Sequence, residues 1–374
     1  MVDFQFNIFN FIILGSVFVG LTFSLLLLCT PRINKKANIY LGLLSLIIVC
    51  WNSWVLSLDF SIFNYFPKFY CIPLNFSLAL GPLIYLYTQQ MTHVEKKFKR
   101  RELWHFLPLV IELSVHVLIV VQALNLGVLA TDTPLFFTLI PWVQFAAICS
   151  ILYYAFRSLK KIKAYHRWLK LNYSNDGEYS LNWLYRLIII FAVLWFLWVP
   201  YTLVDYYRYD FQLGIADYYP LYILLSLISI WISAEAFLKP EVIFLESSRK
   251  ELPKNEEKSN EISSKASWLN QQMKANLFYL DARLSLQSLA SELDLHPNYL
   301  SKIINSGLDK NFADFVNEFR VHAVIEKLND PAYAHITLLG ISFESGFNSK
   351  STFNRVFKQI TGKTPMDYKK SMPN

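Results

Sequence analysis

Seven apolar runs, each long enough to cross a bilayer as a helix, fill the first 240 residues and leave few other ways for this part of the chain to fold. They lie at 7–29, 38–58, 70–88, 105–125, 134–156, 183–205 and 218–238. A spanning helix needs roughly 20 mostly apolar residues to cover about 30 Å of hydrocarbon. The third run is the shortest and carries Pro73, Asn75 and Gly81. Such residues suit a position inside a bundle, where neighbours satisfy the backbone. The first run has no positively charged leader and is too long for a signal-peptide core, so it is read as a retained span. Only 17% of the residues are charged and 54% are hydrophobic, against about 25% charged in a soluble domain. That balance excludes a disordered chain and a small disulfide scaffold.

The loops between the runs set an orientation. The first, third and fifth hold fourteen lysines and arginines, and the intervening ones hold only Lys68 and Arg208. Basic loops stay in the cytoplasm. The expectation is therefore an outside N-terminus, a lipid bilayer around residues 1–240 and a C-terminal tail in the cytoplasm. The membrane is the cytoplasmic (inner) one. The outward loops are short, so an external signal must be received within the bundle or at its rim. Glu112 and His116 are four residues apart and share a face of the fourth run. An ionisable pair at membrane depth suggests function, while an internal hydrogen bond that holds the bundle together explains it equally well. The four cysteines lie in or beside apolar runs and are read as small buried hydrophobes. The seventh run has no mid-span lysine, which excludes a retinal Schiff base.

Residues 241–265 are polar, mixed in charge and poor in large apolar side chains, the composition of a flexible tether. After it, residues 266–374 read as soluble protein, with 12 lysines and arginines against 10 acids. Leu286, Leu289, Ala290 and Leu293 mark one helical face, with Ser285 as its cap. Asp294, Leu295 and His296 interrupt it, and Pro297 opens a second short helix carrying Leu300, Ile303 and Ile304. The same pattern recurs: a short helix at Leu338–Ile341, a turn with Gly346, and a helix over 349–359 with Phe353, Val356 and Phe357 inward. A longer amphipathic helix over 312–328 joins the two. The fold class expected is all-α: a seven-helix transmembrane bundle followed by two helix-turn-helix units joined by a linking helix.

Residues 268–370 resemble the DNA-binding domain of the AraC/XylS family of transcription regulators. The resemblance rests on Leu289-Ala290 and Asn298-Tyr299-Leu300-Ser301 in the first unit. It continues through Phe315-Val316 and Phe319-Arg320-Val321 to Gly346-Phe347-Asn348-Ser349, Phe353-Asn354-Arg355 and Phe357-Lys358 in the second. Thr361-Gly362-Lys363-Thr364-Pro365 and Tyr368 close it. Asp294 stands at a turn where such units often have glycine, and Val324 and Ser342 stand where they usually have alanine.

This resemblance implies binding of double-stranded DNA through two recognition helices. Those helices read base edges in the major groove with the side chains that face away from their own core. In the first unit these are His296, Asn298, Tyr299, Ser301 and Lys302; in the second, Lys350, Ser351, Thr352, Asn354 and Arg355. Lys358 and Lys363 are placed for phosphate contact. The near balance of charge in this domain argues for weak binding by one copy, strengthened when two copies pair on repeated half-sites. No nucleophile, metal-ligand or cofactor constellation occurs, so the chain is read as a non-enzyme without a cofactor. The expected function is a membrane-anchored one-component transcription regulator that senses an unidentified signal. The alternative is a transporter or membrane enzyme with a regulatory tail, whose mark would be clustered polar groups or broken helices at mid-membrane.

Overall fold

The computed structural model describes residues 7–30, 34–92, 100–174, 180–209, 213–238 and 259–372. Apart from one isolated bridge, Tyr173 with Ser285, the regular structure of these residues is helical. The chain divides into two compact units. One comprises Met1–Ile162 and Asn182–Glu246, the other Lys163–Leu181 and Ser247–Asn374.

In the first unit, α1 (Ile8–Cys29) and α2 (Lys35–Asp59) pack together, and α2 lies against both α4 (Ser77–Thr92) and α8 (Tyr219–Leu238). A one-turn helix, α3 (Ile62–Tyr65), follows α2, and α5 (Leu107–Leu126), α6 (Pro134–Asn172) and α7 (Asn182–Tyr209) complete the unit's helices. Small and polar residues let α1, α2 and α8 approach closely. Asn52 donates to the hydroxyls of Ser16 at 2.9 Å and Ser226 at 3.1 Å. Ser24 donates to the Gly42 carbonyl, and Ser45 to that of Gly20. A Cβ on Gly20 would meet the Val49 side chain at 2.7 Å, so the contact between α1 and α2 requires glycine there. This is how helices associate where apolar burial alone offers no gain.

Six helices of the described residues are long and apolar enough to cross a membrane. They match every expected run except the third. There the chain makes a 3-10 turn at Pro67–Cys71, leaves helical structure over 72–76, and forms a 16-residue helix, α4. At 1.5 Å per residue α4 covers about 24 Å, short of a bilayer core. It is buried along nearly all its length, the enclosed position that its polar and small residues suggested. The outer faces of the longer helices stay apolar: Phe18, Val117, Leu124, Phe145, Phe156 and Phe196 are all exposed. A water-soluble protein rarely leaves so large an apolar surface uncovered. Cys29, Cys71 and Cys149 are exposed and Cys50 is half-buried, contrary to the buried positions expected. Hydropathy records that a residue avoids water and does not say whether protein or another apolar medium covers it.

The fifth basic stretch is helix rather than loop. The 39 residues of α6 carry Arg157, Lys160, Lys161, Lys163, Arg167 and Lys170, and from Lys163 onward α6 belongs to the second unit. That unit continues with α9 (Ser259–Ala275), so the last residues of the stretch read as a tether are helical. Ile262 and Ala266 of α9 lie against Gly307, where an added Cβ would meet Ala266 Cβ at 2.9 Å. The apolar spacing of Ala266, Leu269 and Met273, all buried, accounts for the helix. Residues 241–258, the rest of the expected tether, lie outside the described residues.

Candidate nucleic-acid interface

Each helix-turn-helix unit is assembled from two short helices whose start is fixed by a side-chain cap. The first pairs α10 (Leu286–Glu292) with α11 (Pro297–Lys302). Ser285 accepts from the Ser288 amide, and His296 Nδ1 accepts from the Asn298 amide at 3.2 Å. Asp294 makes the turn between them in the left-handed region, at φ 53°. Aspartate is among the residues that tolerate that conformation, which is how it replaces the usual glycine. After α11 the helix widens into a π turn at Ile303–Gly307.

The linking helix is α12 (Phe312–Asn329), and it serves two cores in succession. Phe312, Phe315 and Val316 pack with Leu289, Leu300 and Ile303 of the first unit. Val321 and Val324, further along α12, pack with Ile341, Phe347, Phe353 and Phe357 of the second. Val324 is therefore core, as the alanine usual at its place would be, and Ser342 is fully buried and donates to the Leu339 carbonyl.

The second unit pairs α13 (Leu338–Glu344) with α14 (Lys350–Thr361), followed by α15 (Pro365–Lys370). Thr337 caps α13 and Ser349 caps α14. Gly346 makes the turn at φ 90°, where a Cβ would lie 2.2 Å from the Tyr279 carbonyl oxygen. Only glycine fits there.

Along α14 the two faces separate cleanly. Phe353, Val356 and Phe357 are buried, while Lys350, Ser351, Asn354, Arg355 and Lys358 are exposed at i, i+1, i+4, i+5 and i+8. The helix contains no acid, so its outer face is cationic although the domain as a whole is nearly balanced. Thr352 departs from the expectation. It is buried, and it receives a hydrogen bond from Ser349 at 2.9 Å as part of the helix start. It supports that outer face from behind and is not on it. Lys363 is exposed beyond the left-handed cap at Gly362, and donates to Ser371 at 3.2 Å.

On α11, His296 and Asn298 are exposed, and Ser301 and Lys302 are half-exposed. Tyr299 packs part of its ring against the first core. Asn305, in the π turn, donates to the Ser301 hydroxyl at 3.1 Å and extends this surface by one residue. Sequence reasoning passed over Asn305, although its i, i+4 spacing from Ser301 places the two on one helical face.

One buried cation organises the domain. Arg320 of α12 is 1% exposed. Its Nε donates to the Tyr279 carbonyl at 2.8 Å, its Nη2 to the Asp281 carbonyl at 2.7 Å and to the Ser174 hydroxyl at 3.0 Å, and its Nη1 to Asn317 Oδ1 at 3.3 Å. The guanidinium also lies over the Phe347 ring. Burial pushes its pKa down to about 10, which leaves it charged at neutral pH. Ser174 in turn donates to the Leu284 carbonyl at 2.7 Å, and Asn317 donates to the Ser174 carbonyl at 3.1 Å. The segment that follows α6 is thus bonded to both the linking helix and the start of the first helix-turn-helix unit.

The two membrane-depth candidates separate in role. The Glu112 carboxylate accepts from the Ser77 amide at 2.9 Å, the Ser77 hydroxyl at 2.5 Å and the Leu78 amide at 3.0 Å. It caps the first turn of the buried α4. His116 stacks on Tyr70, with ring centroids 5.6 Å apart, and lines a cavity.

Comparison with known proteins defines the class of the C-terminal domain. Residues 289–371 match the family described as "Helix-turn-helix domain". Among curated proteins, an uncharacterized HTH-type transcriptional regulator of Staphylococcus aureus (strain MSSA476) is 33% identical over 91 residues. Another, YtdP of Bacillus subtilis (strain 168), is 28% identical over 89 residues. Each alignment covers 24% of this chain, and 12% and 11% of the respective relative. The matched stretch is thus about a quarter of this chain and about an eighth of each relative's length. No solved structure matches.

Proposed function

We propose that the protein is a membrane-anchored one-component transcription regulator. The observation that carries this reading is the pair of capped helix-turn-helix units, one of which presents an acid-free helix with Lys350, Asn354, Arg355 and Lys358 on its outer face. Arginine pairs with guanine and asparagine with adenine in the major groove, so Arg355, Asn354 and Asn298 read bases. Lys358 and Lys363 hold phosphates, and backbone amides at the start of α14 add to them. The relatives' designation as transcriptional regulators agrees with this.

The apolar outer faces of six long helices support a bilayer around the first unit. The basic loops support a cytoplasmic DNA-binding domain and an outside N-terminus. An outside N-terminus with a cytoplasmic DNA-binding domain needs an odd number of crossings, so α4, with the non-helical residues 72–76 that precede it, is read as a seventh, broken span enclosed by its neighbours. Pairing of two domains on repeated half-sites supplies the affinity that one nearly balanced domain lacks, and the bundle's signal acts on that pairing.

Genome-wide mapping of DNA bound in cells tests the reading. The intact protein is expected to enrich discrete sites, and an Arg355→Ala, Asn298→Ala double variant at equal abundance is expected to lose them. Reporter fusions after Lys97, Gly127 and Lys163 are expected to report inside, outside, inside. The absence of enriched sites refutes the DNA-binding role, and a cytoplasmic signal at Gly127 refutes the topology.

A further inference from the structure

A cavity of about 260 Å³ opens in the first unit, between the C-terminal parts of α2 and α7 and the N-terminal parts of α6 and α8. The proposed topology turns these ends outward. Its walls are largely aromatic, with Trp51, Trp54, Tyr70, Trp198, Tyr218 and Tyr222 on them. The rings hold one another in place: Trp51 meets Trp198 edge-on at 6.1 Å, and Trp198 meets Tyr222 edge-on at 5.7 Å.

Among the described lining residues one carboxylate, Asp205, stands without any lysine or arginine. Asp205 is 4% exposed. It accepts from the Tyr218 hydroxyl at 2.5 Å and the Leu213 amide at 3.2 Å. Those bonds orient the carboxylate and leave its charge unbalanced, and a buried charge without a counter-charge is costly. An ionised carboxylate has about four acceptor positions, so these two donors leave room for a third. Three further polar atoms on the lining residues have no partner among the described residues: Trp51 Nε1, His116 Nε2 and Asn75 Oδ1. Trp51 itself is 6% exposed.

An acid beside tryptophan and tyrosine rings defines the ligand chemistry. Ring faces attract cations, tryptophan most strongly, and more so when water is excluded. A hard metal ion is held mainly by carboxylates, and Asp205 is the one acid among the described lining residues. An anion would meet Asp205 with no lysine or arginine among the described lining residues to compensate. The volume exceeds the ~150 Å³ of a cavity that holds benzene, which suits a small amine with an apolar body.

We propose that this cavity binds a small organic cation, an amine or quaternary ammonium, with Asp205 as its counter-ion and the tryptophan rings as its cage, and that this ligand is the signal the bundle receives. The assignment of the ligand as a signal rests on the regulator reading above; the binding itself does not.

The test uses the full chain in lipid nanodiscs. Choline, phenethylamine and agmatine are titrated by calorimetry, with phenethyl alcohol as a neutral control. At least one cation is expected to bind saturably and phenethyl alcohol is not. Asp205→Asn is expected to weaken binding at least about tenfold, the worth of a hydrogen bond to a charged group. Because Asp205 also supports Tyr218, a second variant, Trp54→Leu, removes a half-exposed ring and is expected to weaken the same cation about fivefold, the lower range of a cation–π contact. The proposal is overturned if none of the three cations binds, if phenethyl alcohol binds equally well, or if binding survives both substitutions unchanged. Promoter occupancy with and without the bound cation is read separately. A cation that binds and leaves occupancy unchanged overturns its role as the signal and leaves the site standing. Absent binding with normal DNA enrichment overturns the site and leaves the regulator standing.

Discussion

Replacing Arg320 with leucine isolates the most consequential buried contact of the C-terminal domain. The substitution keeps bulk on α12 and removes every donor. In a soluble fragment spanning 259–374 it strands three acceptors: the Tyr279 and Asp281 carbonyls and Asn317 Oδ1. Each orphaned buried acceptor costs about 1–3 kcal/mol, partly offset by the transfer of an apolar side chain into the site. Losing one partner of a buried charged network costs roughly 3–5 kcal/mol in total. A domain of this size is stable by only about 5–15 kcal/mol, and 1 kcal/mol corresponds to about 4 °C in melting temperature. The melt followed by circular dichroism is therefore expected to fall by roughly 12–20 °C. Arg320→Lys keeps the charge without the planar fork and is expected to fall between. The control is Lys369→Ala, an exposed residue of α15, where a surface substitution stays within about 0.5 kcal/mol. A fall of less than about 4 °C for Arg320→Leu, comparable to the control, would refute the claim that this guanidinium organises the C-terminal domain.

Three further outcomes are expected. Arg355→Ala and Asn298→Ala should each weaken binding of the same fragment to its cognate duplex by about 1–3 kcal/mol in an equilibrium titration, with an unchanged melt. Gly346→Ala should destabilise the fragment by at least about 2 kcal/mol in urea unfolding, from backbone strain at φ 90° and collision with the Tyr279 carbonyl. Glu112→Gln in the full protein should lower thermal stability in nanodiscs by the equivalent of about 1–3 kcal/mol, because the amide presents a donor to amides that need an acceptor. Ser114→Ala, an exposed change two residues away, should leave stability unaltered.

Periodicity alone separated the two halves of this chain, placed six of the long apolar helices and marked both helix-turn-helix units, because those properties follow from which residues avoid water and how they repeat. The outer face of α14 was legible for the same reason: Lys350, Asn354 and Arg355 sit opposite Phe353, Val356 and Phe357 on a 3.6-residue period. Thr352 was misjudged because a cap is a local bond and leaves no trace in hydropathy. What only the tertiary structure decided is where polar groups find partners across long stretches of sequence. Glu112 looked like half of an ionisable pair until α4 brought the Ser77 and Leu78 amides to it from 35 and 34 residues away. Ser174, 146 residues before Arg320, looked like part of a basic loop. Asp205, Trp51 and His116 come from three different helices and meet only when the bundle closes. Apolar burial is non-directional and survives in the pattern of a single sequence, whereas a hydrogen bond or a cavity wall depends on a geometry that exists only once distant segments have packed.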